Sequence, residues 1–317
     1  MKRWLLVLAA ALAATAASAQ DYPNRAIRII TPAAQGGTTD ILARLFGARM
    51  NNAWNVPVLV DNRASNSGVL AGEMVAGAAP DGYTLLLAYH QHIVNGALNP
   101  KLPYHPVESF TPIVQMTTAG FMLVVHPSAP VKNLAEFMDW ARNSKGALNF
   151  GSAGNGSGGH LAGELFKQMT GVKAEHIPYK GNGPALMDLV AGQYHYNFAG
   201  IQGAAQLARG GKLRGIAVTT PRRIGSMPEL PAMAEALPGF EVVGWYGLVG
   251  PAKLPKAIVD KIHAEVTKGL AVPEVRERIL ADGSEPASGS PEDFRKFLVA
   301  DYAKWTDVVR KSGAKLD

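Results

Sequence analysis

Short β-branched apolar runs alternate with helix-period segments along almost the whole chain, and that alternation leaves few architectures open. The runs are Ala26–Ile30, Pro57–Asp61, Thr84–Tyr89, Met122–His126, Leu148–Ser152, Ala174–Pro178, Tyr194–Phe198, Leu213–Thr219 and Glu241–Val249. Helical patterns begin near Thr38, Leu70, Leu134, Gly159, Pro184, Gly203, Pro255, Pro273 and Pro291. Strands each followed by a helix pack as parallel sheets covered on both faces, so the expected class is α/β. Roughly three hundred residues beyond the leader exceed one ordinary core, which predicts two domains.

The leader is Met1–Ala19. It has a basic start (Lys2, Arg3), an apolar stretch from Trp4 to Ala14 and the small-residue ending Ala17-Ser18-Ala19. That is the layout of a secretory signal peptide cleaved after Ala19, too short for a membrane span. No later segment reaches about eighteen uninterrupted apolar residues. The expected mature chain is soluble and exported. The chain has no cysteine, so disulfides, thiol catalysis and thiolate metal sites are excluded. Without Lys2 and Arg3 the formal charge falls from +6 to +4 (6 − 2), spread without a run of five like charges. A mildly basic surface is compatible with an anionic ligand and gives no sign of a nucleic-acid partner.

Two loops stand out. Thr31-Pro-Ala-Ala-Gln-Gly-Gly-Thr-Thr-Asp40 follows one apolar run and opens a helix carrying Ile41, Leu42, Leu45 and Phe46. A helix start leaves its first amides unpaired and carries partial positive charge, so it stabilises a carboxylate or phosphate. Gly36 and Gly37 let backbone approach closely, Thr38 and Thr39 add hydroxyls, and Asp40 can cap. The same residues also make an ordinary, well-capped strand-to-helix turn. Gly151 to His160 repeats the logic after Leu148–Ser152, ahead of a helix with Leu161, Leu165 and Phe166. Ligands of open α/β sheets collect outside the carboxyl ends of strands, so two such loops from different domains would face each other across a cleft.

The same residues bear on other chemistries. Gly154, Gly156 and Gly159 match G-x-G-x-x-G with Glu175 downstream, but Glu175 falls at the start of its strand, not the end a ribose contact needs. A serine hydrolase would need G-x-S-x-G, which neither Ser152 nor Ser157 satisfies, leaving Ser157 and His160 as a weaker pair. His90 and His92 lie two apart after a strand, but lack third and fourth metal ligands; in extended chain Tyr89 or His92 could instead touch an organic ligand. His160 and Glu164 make a helical i, i+4 pair. No catalytic residue, metal or cofactor is expected.

Three helix starts carry proline: Leu254-Pro255, Val272-Pro273 and Ser290-Pro291, the last with serine as cap. From Pro291 to Gly313 the residues Phe294, Phe297, Leu298, Tyr302, Trp305, Val308 and Val309 form one stripe. The expectation is a closing helix packed on the first domain, with Trp305 in the core and no part in ligand binding.

The order and spacing of several motifs resemble one family along the chain's length. They are Tyr22-Pro23, Gly36-Gly37 with Asp40, Asn62-Arg63, Pro80-Asp81-Gly82-Tyr83-Thr84, Gly151-Ser152 with Gly154, Gly156, Ser157 and His160, Pro178-Tyr179-Lys180-Gly181, Gly192-Gln193, Gly211-Lys212-Leu213-Arg214 with Ala217-Val218-Thr219, and Trp245-Tyr246-Gly247. The chain resembles the Bug family, the periplasmic solute receptors of tripartite tricarboxylate transporters. The resemblance implies a type II-like, two-lobed periplasmic binding protein without catalysis, each lobe a mainly parallel sheet flanked by helices. Lobe 1 would comprise residues 20–119 plus 238–317, and lobe 2 residues 120–237. It implies a carboxylate ligand between the lobes, held by Ala34, Gln35, Gly36, Gly37, Thr38 and Thr39 on one side and by Ser152, Gly154, Asn155, Gly156 and Ser157, with His160 beside them, on the other. The implied partner is the transporter's membrane subunits, and the implied state a monomer in the periplasm.

Departures from the family pattern bear on the ligand. Where the family usually has Pro-Phe-x-Pro-Gly-Gly, this chain has Pro32-Ala33-Ala34-Gln35-Gly36-Gly37, losing an aromatic ring and a proline. The usual Asn-Arg-Pro-Gly becomes Asn62-Arg63-Ala64-Ser65, and Gly-Gln-Val-Asp with a following Phe-Asp becomes Gly192-Gln193-Tyr194-His195 and Phe198-Ala199. Ala199 is itself an expected ligand-contacting position, and loss of the acid there argues against a ligand ammonium group. Ala33 would enlarge the pocket, with Tyr89, His90 or His92 lining it, which favours an aromatic or longer-chain dicarboxylate.

Overall fold

The computed structural model describes residues 22–33, 35, 38–65, 68–281, 283–287 and 289–312. The expected signal peptide, Ala34, Gly36 and Gly37 lie outside these residues.

In chain order the elements are β1 (Ile27–Thr31), α1 (Thr38–Trp54), β2 (Val58–Asn62), α2 (Val69–Ala76), β3 (Thr84–Tyr89), α3 (His90–Leu98), β4 (Phe110–Val125), α4 (Leu134–Asn143), β5 (Leu148–Ser152), α5 (Gly158–Thr170), β6 (Ala174–Pro178) and α6 (Asn182–Val190). They continue with β7 (Tyr196–Gly200), α7 (Ile201–Arg209), β8 (Arg214–Val218), β9 (Val243–Pro251), α8 (Lys256–Leu270), α9 (Pro273–Ala281), β10 (Glu285–Pro286) and α10 (Pro291–Ser312). Strand order is β2-β1-β3-β9-β4-β7-β5-β6, with β8 and β10 also on β4.

The parallel pairings expected from the alternation form two groups, β2-β1-β3 and β7-β5-β6. Between them run two antiparallel strands that the periodicity did not announce as such. β4 pairs β9 from Phe110 to Gly120, and β7 and β8 from Phe121 to Val125. One strand thus serves both half-sheets and changes partners at Gly120/Phe121. Thr219, fully buried, stitches this crossing. Its hydroxyl accepts the Phe121 amide (2.8 Å) and donates to the Val242 carbonyl (2.6 Å), while its own amide donates to the Phe121 carbonyl (2.9 Å).

Helices cover both faces. α1 and α8 pack Phe46, Met50, Ile262 and Val266 against Ile27, Ile29, Leu85 and Leu87. On the second half-sheet, α6 and α7 pack Leu186, Leu189 and Ala204 against Met122 and Val124. The other face is one continuous core running from Ile30 and Leu86 through Leu123 to Phe150 and Phe166. A large buried aromatic in such a core is worth about 3–5 kcal/mol against alanine.

α10 forms as the apolar stripe predicted, with Ser290 accepting the Asp293 amide (3.1 Å) at its start. Trp305 is buried as expected. The helix corrects the expectation in one respect: it packs on α3 and β4 and also reaches α5, with Gln168 donating to Asp307 (3.4 Å). Its stripe spans both half-sheets because the shared core below it does. Asp301, buried beneath it, accepts from Trp245 Nε1 (3.1 Å), and burial raises its carboxyl above the usual range.

Two segments escaped sequence reading. Phe110–Gly120 of β4 carries Pro112 beside a register shift and polar Gln115, Thr117 and Thr118, which break its alternation. α3 opens on His90-Gln91-His92 with no side-chain cap. Helices expected near Pro184 and Gly203 start two residues earlier, at Asn182 and Ile201.

Candidate functional site

The carboxyl ends of β1, β3, β5, β6 and β7 each lead into a helix, so several helix amino termini gather at one end of the two half-sheets. Between the half-sheets lies a cavity of about 220 Å³. Thr38 opens α1 there, His90 opens α3, Asn182 opens α6, and Gly200 to Gly203 form the β7–α7 turn; Phe121 and Tyr246 complete the walls. No lysine, arginine, aspartate or glutamate lines it among the described residues. Its electrostatic character therefore comes from helix ends and neutral polar groups, an arrangement that favours an anion without a formal counter-charge.

The first loop is braced from outside the cavity. Asn62, at the end of β2, donates from Nδ2 to Thr31 Oγ1 (2.7 Å), to the Ala33 carbonyl (3.2 Å) and to Asp40 Oδ1 (3.0 Å). Asp40, which the sequence suggested as a cap, is buried and clamped by Arg44, with Nε to Oδ2 at 3.0 Å and a guanidinium nitrogen to Oδ1 at 2.9 Å. The carboxylate serves to fix the loop on β2. Thr38 faces the cavity, whereas Thr39 is turned inward and its buried Oγ1 has no hydrogen-bond partner. Ala33 is half-buried and Gln35 exposed.

The second loop is braced from within. Ser152, fully buried, has Oγ 2.6 Å from His176 Nε2, donates to the Gly154 carbonyl (3.0 Å), accepts the Gly154 amide (3.1 Å), and does not line this cavity. His160 Nδ1 accepts the Gly156 amide (3.0 Å), and its ring stacks on His176 at 3.9 Å. Ser157 caps α5 by accepting the His160 amide (3.3 Å). Gly154 and Gly156 take positive φ, 124° and 75°, which the loop requires and glycine supplies. Gly158 and Gly159 have no room for a Cβ, because Phe121 and the Phe198 carbonyl occupy that space. The α5 start is thereby pressed against the cavity wall through Phe121.

Two expected ligand contacts are corrected. His90 and His92 lie on a helix and not in extended chain, and two residues apart on a helix they point in opposite directions. His90 faces the cavity. His92 is buried on the far side, with Nε2 bonded to the Pro106 carbonyl (2.8 Å), its ring stacked on Tyr104 and edge-on to Phe110. Ala199 is likewise buried, on the face of β7 that packs against α6 and α7; its neighbour Gly200 reaches the cavity. Tyr89 stacks on Tyr246 at 6.2 Å and stands one ring behind the wall. Burial pushes the Tyr89 hydroxyl up to about 12 and the His90 imidazole down to about 4, so both are neutral at pH 7. His90 Nε2 is buried without a hydrogen-bond partner.

Sequence reading missed Phe121, Asn182, the Gly200–Gly203 turn, Tyr246 and Ser284 as wall residues. Phe-Ala-Gly-Ile-Gln-Gly at 198–203 carried the same strand–glycine–helix signal as the two loops singled out. The dinucleotide reading loses its acid: Glu175 is exposed at the amino end of β6, opposite the end where the helix starts gather.

The sequence and the fold recur in known proteins. BugT of Bordetella pertussis is 32% identical over 314 residues, covering 98% of this chain and 96% of BugT. A solved R. palustris protein with adipate superposes at TM-score 0.77 with 34% identity, over 93% of this chain and all of that one (100%). MatC from Rhodopseudomonas palustris with bound malate superposes at TM-score 0.73 with 34% identity, over 91% of this chain and 100% of MatC. The sequence pattern of the tripartite tricarboxylate transporter family receptor matches residues 42–314, and the chain belongs to that family of periplasmic receptors.

Proposed function

We propose that this protein is a periplasmic solute-binding protein, exported through Met1–Ala19, that captures a carboxylate as a monomer and delivers it to the membrane subunits of a tripartite transporter. The observation that carries this reading is the uncharged cavity at which the starts of α1, α3, α6 and α7 gather. A carboxylate there meets helix amino termini, the Thr38 hydroxyl and a neutral His90, with no acidic side chain to repel it. The Ser152–Ser157 loop contributes through backbone and helix charge, since the Ser152 hydroxyl is engaged with His176 and Gly154 and the Ser157 hydroxyl with the His160 amide. The adipate and malate bound by the two solved relatives support the ligand class.

In this reading the lobes divide where β4 changes partners, with residues 20–119 and 238–317 on one side and 120–237 on the other. Closure pivots about Phe121, Thr219 and Val242, and α10 bridges the lobes on the far face. A hinge of this kind converts ligand binding into a population shift toward a closed form that a membrane partner can read. No catalysis is part of this reading: the Ser157 hydroxyl accepts the His160 amide, and Ser152, fully buried beside His176, does not line the cavity.

A thermal-shift panel of succinate, glutarate, adipate, citrate, benzoate, phthalate and terephthalate tests the reading. The longer or aromatic dicarboxylates are expected to stabilise the mature protein most. Stabilisation by short aliphatic acids alone would remove the enlarged-pocket part of it.

A further inference from the structure

A second cavity, of about 230 Å³, adjoins the first and shares Thr38, Gln202 and Ser284 with it. Its chemistry differs. One wall is the apolar face of α1, with Ile41, Leu42 and Leu45, and the opposite wall is Ile279 of α9. A molecule with one end at the start of α1 therefore has the next turns of that helix running alongside it.

Two polar groups in this chamber have no use within the protein. Thr117 of β4 is fully buried, and its Oγ1 has no hydrogen-bond partner. A buried hydroxyl left unpaired is costly, and a ligand oxygen or amide would satisfy it. Arg278 lines the chamber from α9 with its side chain exposed, and it makes no hydrogen bond or ion pair with any described residue. No acidic side chain lines the chamber among the described residues to neutralise it. The first cavity holds an anion by helix ends and has no formal charge; the second has an apolar middle and one unopposed guanidinium.

We propose that the side chamber between α1, α9 and β4 is a second subsite of the same ligand, that the ligand is an elongated dicarboxylate with an apolar middle, and that Arg278 takes its distal carboxylate. This rests on the reading above that the α1 start takes the first carboxylate. A short dicarboxylate would fill only the first cavity. A monocarboxylate of the same length would occupy both and leave Arg278 unpaired, so length and a second charge are selected separately. Gln202, from α7, is the chamber's contribution from the second lobe among the described residues, which ties occupation of the chamber to lobe closure.

Calorimetric titration of the mature protein and Arg278→Gln with succinate, adipate, suberate and hexanoate tests this. Arg278 is exposed, so its replacement leaves the fold intact, which circular dichroism checks. The wild type is expected to bind adipate or suberate at least about fivefold tighter than both succinate and hexanoate, as one charge-assisted contact allows. Arg278→Gln is expected to erase the advantage over hexanoate while leaving hexanoate and succinate within about twofold. If the variant weakens all four acids alike, or none, the subsite is refuted while carboxylate capture stands. If the wild type binds no acid of the four, the carboxylate reading fails and the subsite with it.

Discussion

The two glycine loops follow one plan and are held in opposite ways. At Thr31–Asp40 the bracing comes from a neighbouring strand: Asn62 reaches across from β2 to three acceptors, and Arg44 clamps Asp40 at the edge of solvent. At Gly151–His160 the bracing is a stacked imidazole pair, His160 buried and His176 of β6 half-buried, with Gly156 bonded to the His160 ring, Ser152 to His176 and Ser157 to the His160 amide. Similar strand–glycine–helix sequences thus divide labour. In the proposed reading the first loop keeps Thr38 for the cavity, and the second offers rigid backbone and the charge of α5.

If the second loop is the rigid partner, removing its buried support should cost most. His160→Ala deletes the Gly156 acceptor and the stack on His176, and is expected to lower unfolding free energy by about 3 kcal/mol in urea titration. A loss close to zero would show that the loop is not built on that ring. Acidification probes the buried imidazoles in general. His90 and His92 titrate near 4 in the fold against 6.5 when unfolded, so the unfolded state binds more protons between those values. Stability is therefore full above about pH 6.5 and declines as pH falls toward 4, by up to about 3 kcal/mol per group. A melting temperature flat across that window would contradict the buried, neutral assignment.

The first loop should be more tolerant. Asn62→Ala removes three half-buried contacts and is expected to cost about 2 kcal/mol of stability, less than His160→Ala. The reverse ranking would invert the comparison. Smaller and more diagnostic is Thr38→Val, expected to weaken carboxylate binding by about 1 kcal/mol with stability unchanged. Ser157→Ala should do the opposite, lowering stability by about 1 kcal/mol through the lost cap with a lesser effect on binding. Equal binding losses in both variants would mean that the two loops present hydroxyls alike.

Strand and helix alternation was legible because β-branched runs and turn glycines recur at nearly every βα junction. The antiparallel crossing was not. Pro112 and the polar run Gln115–Thr118 hide the first half of β4, whose role depends on pairing with a strand more than a hundred residues away. The two loops were legible as helix starts, yet the sequence could not show that Ser152 and His160 spend polar atoms on His176 and on the loop's own backbone. His92 went astray because two histidines after a strand read as extended chain, and the missing cap of α3 concealed the half-turn that separates them. The Gly200–Gly203 turn carries the same strand–glycine–helix signal with fewer glycines than Gly151–His160.

Native mass spectrometry of the mature protein, mixed with the seven acids named above, addresses the claim that joins both loops in one task. Capture between them predicts one organic acid bound per chain, from the longer or aromatic dicarboxylates, with the complex diminished in Thr38→Val. A wild-type chain that stays unliganded with all seven, or that binds them without regard to Thr38, would contradict it.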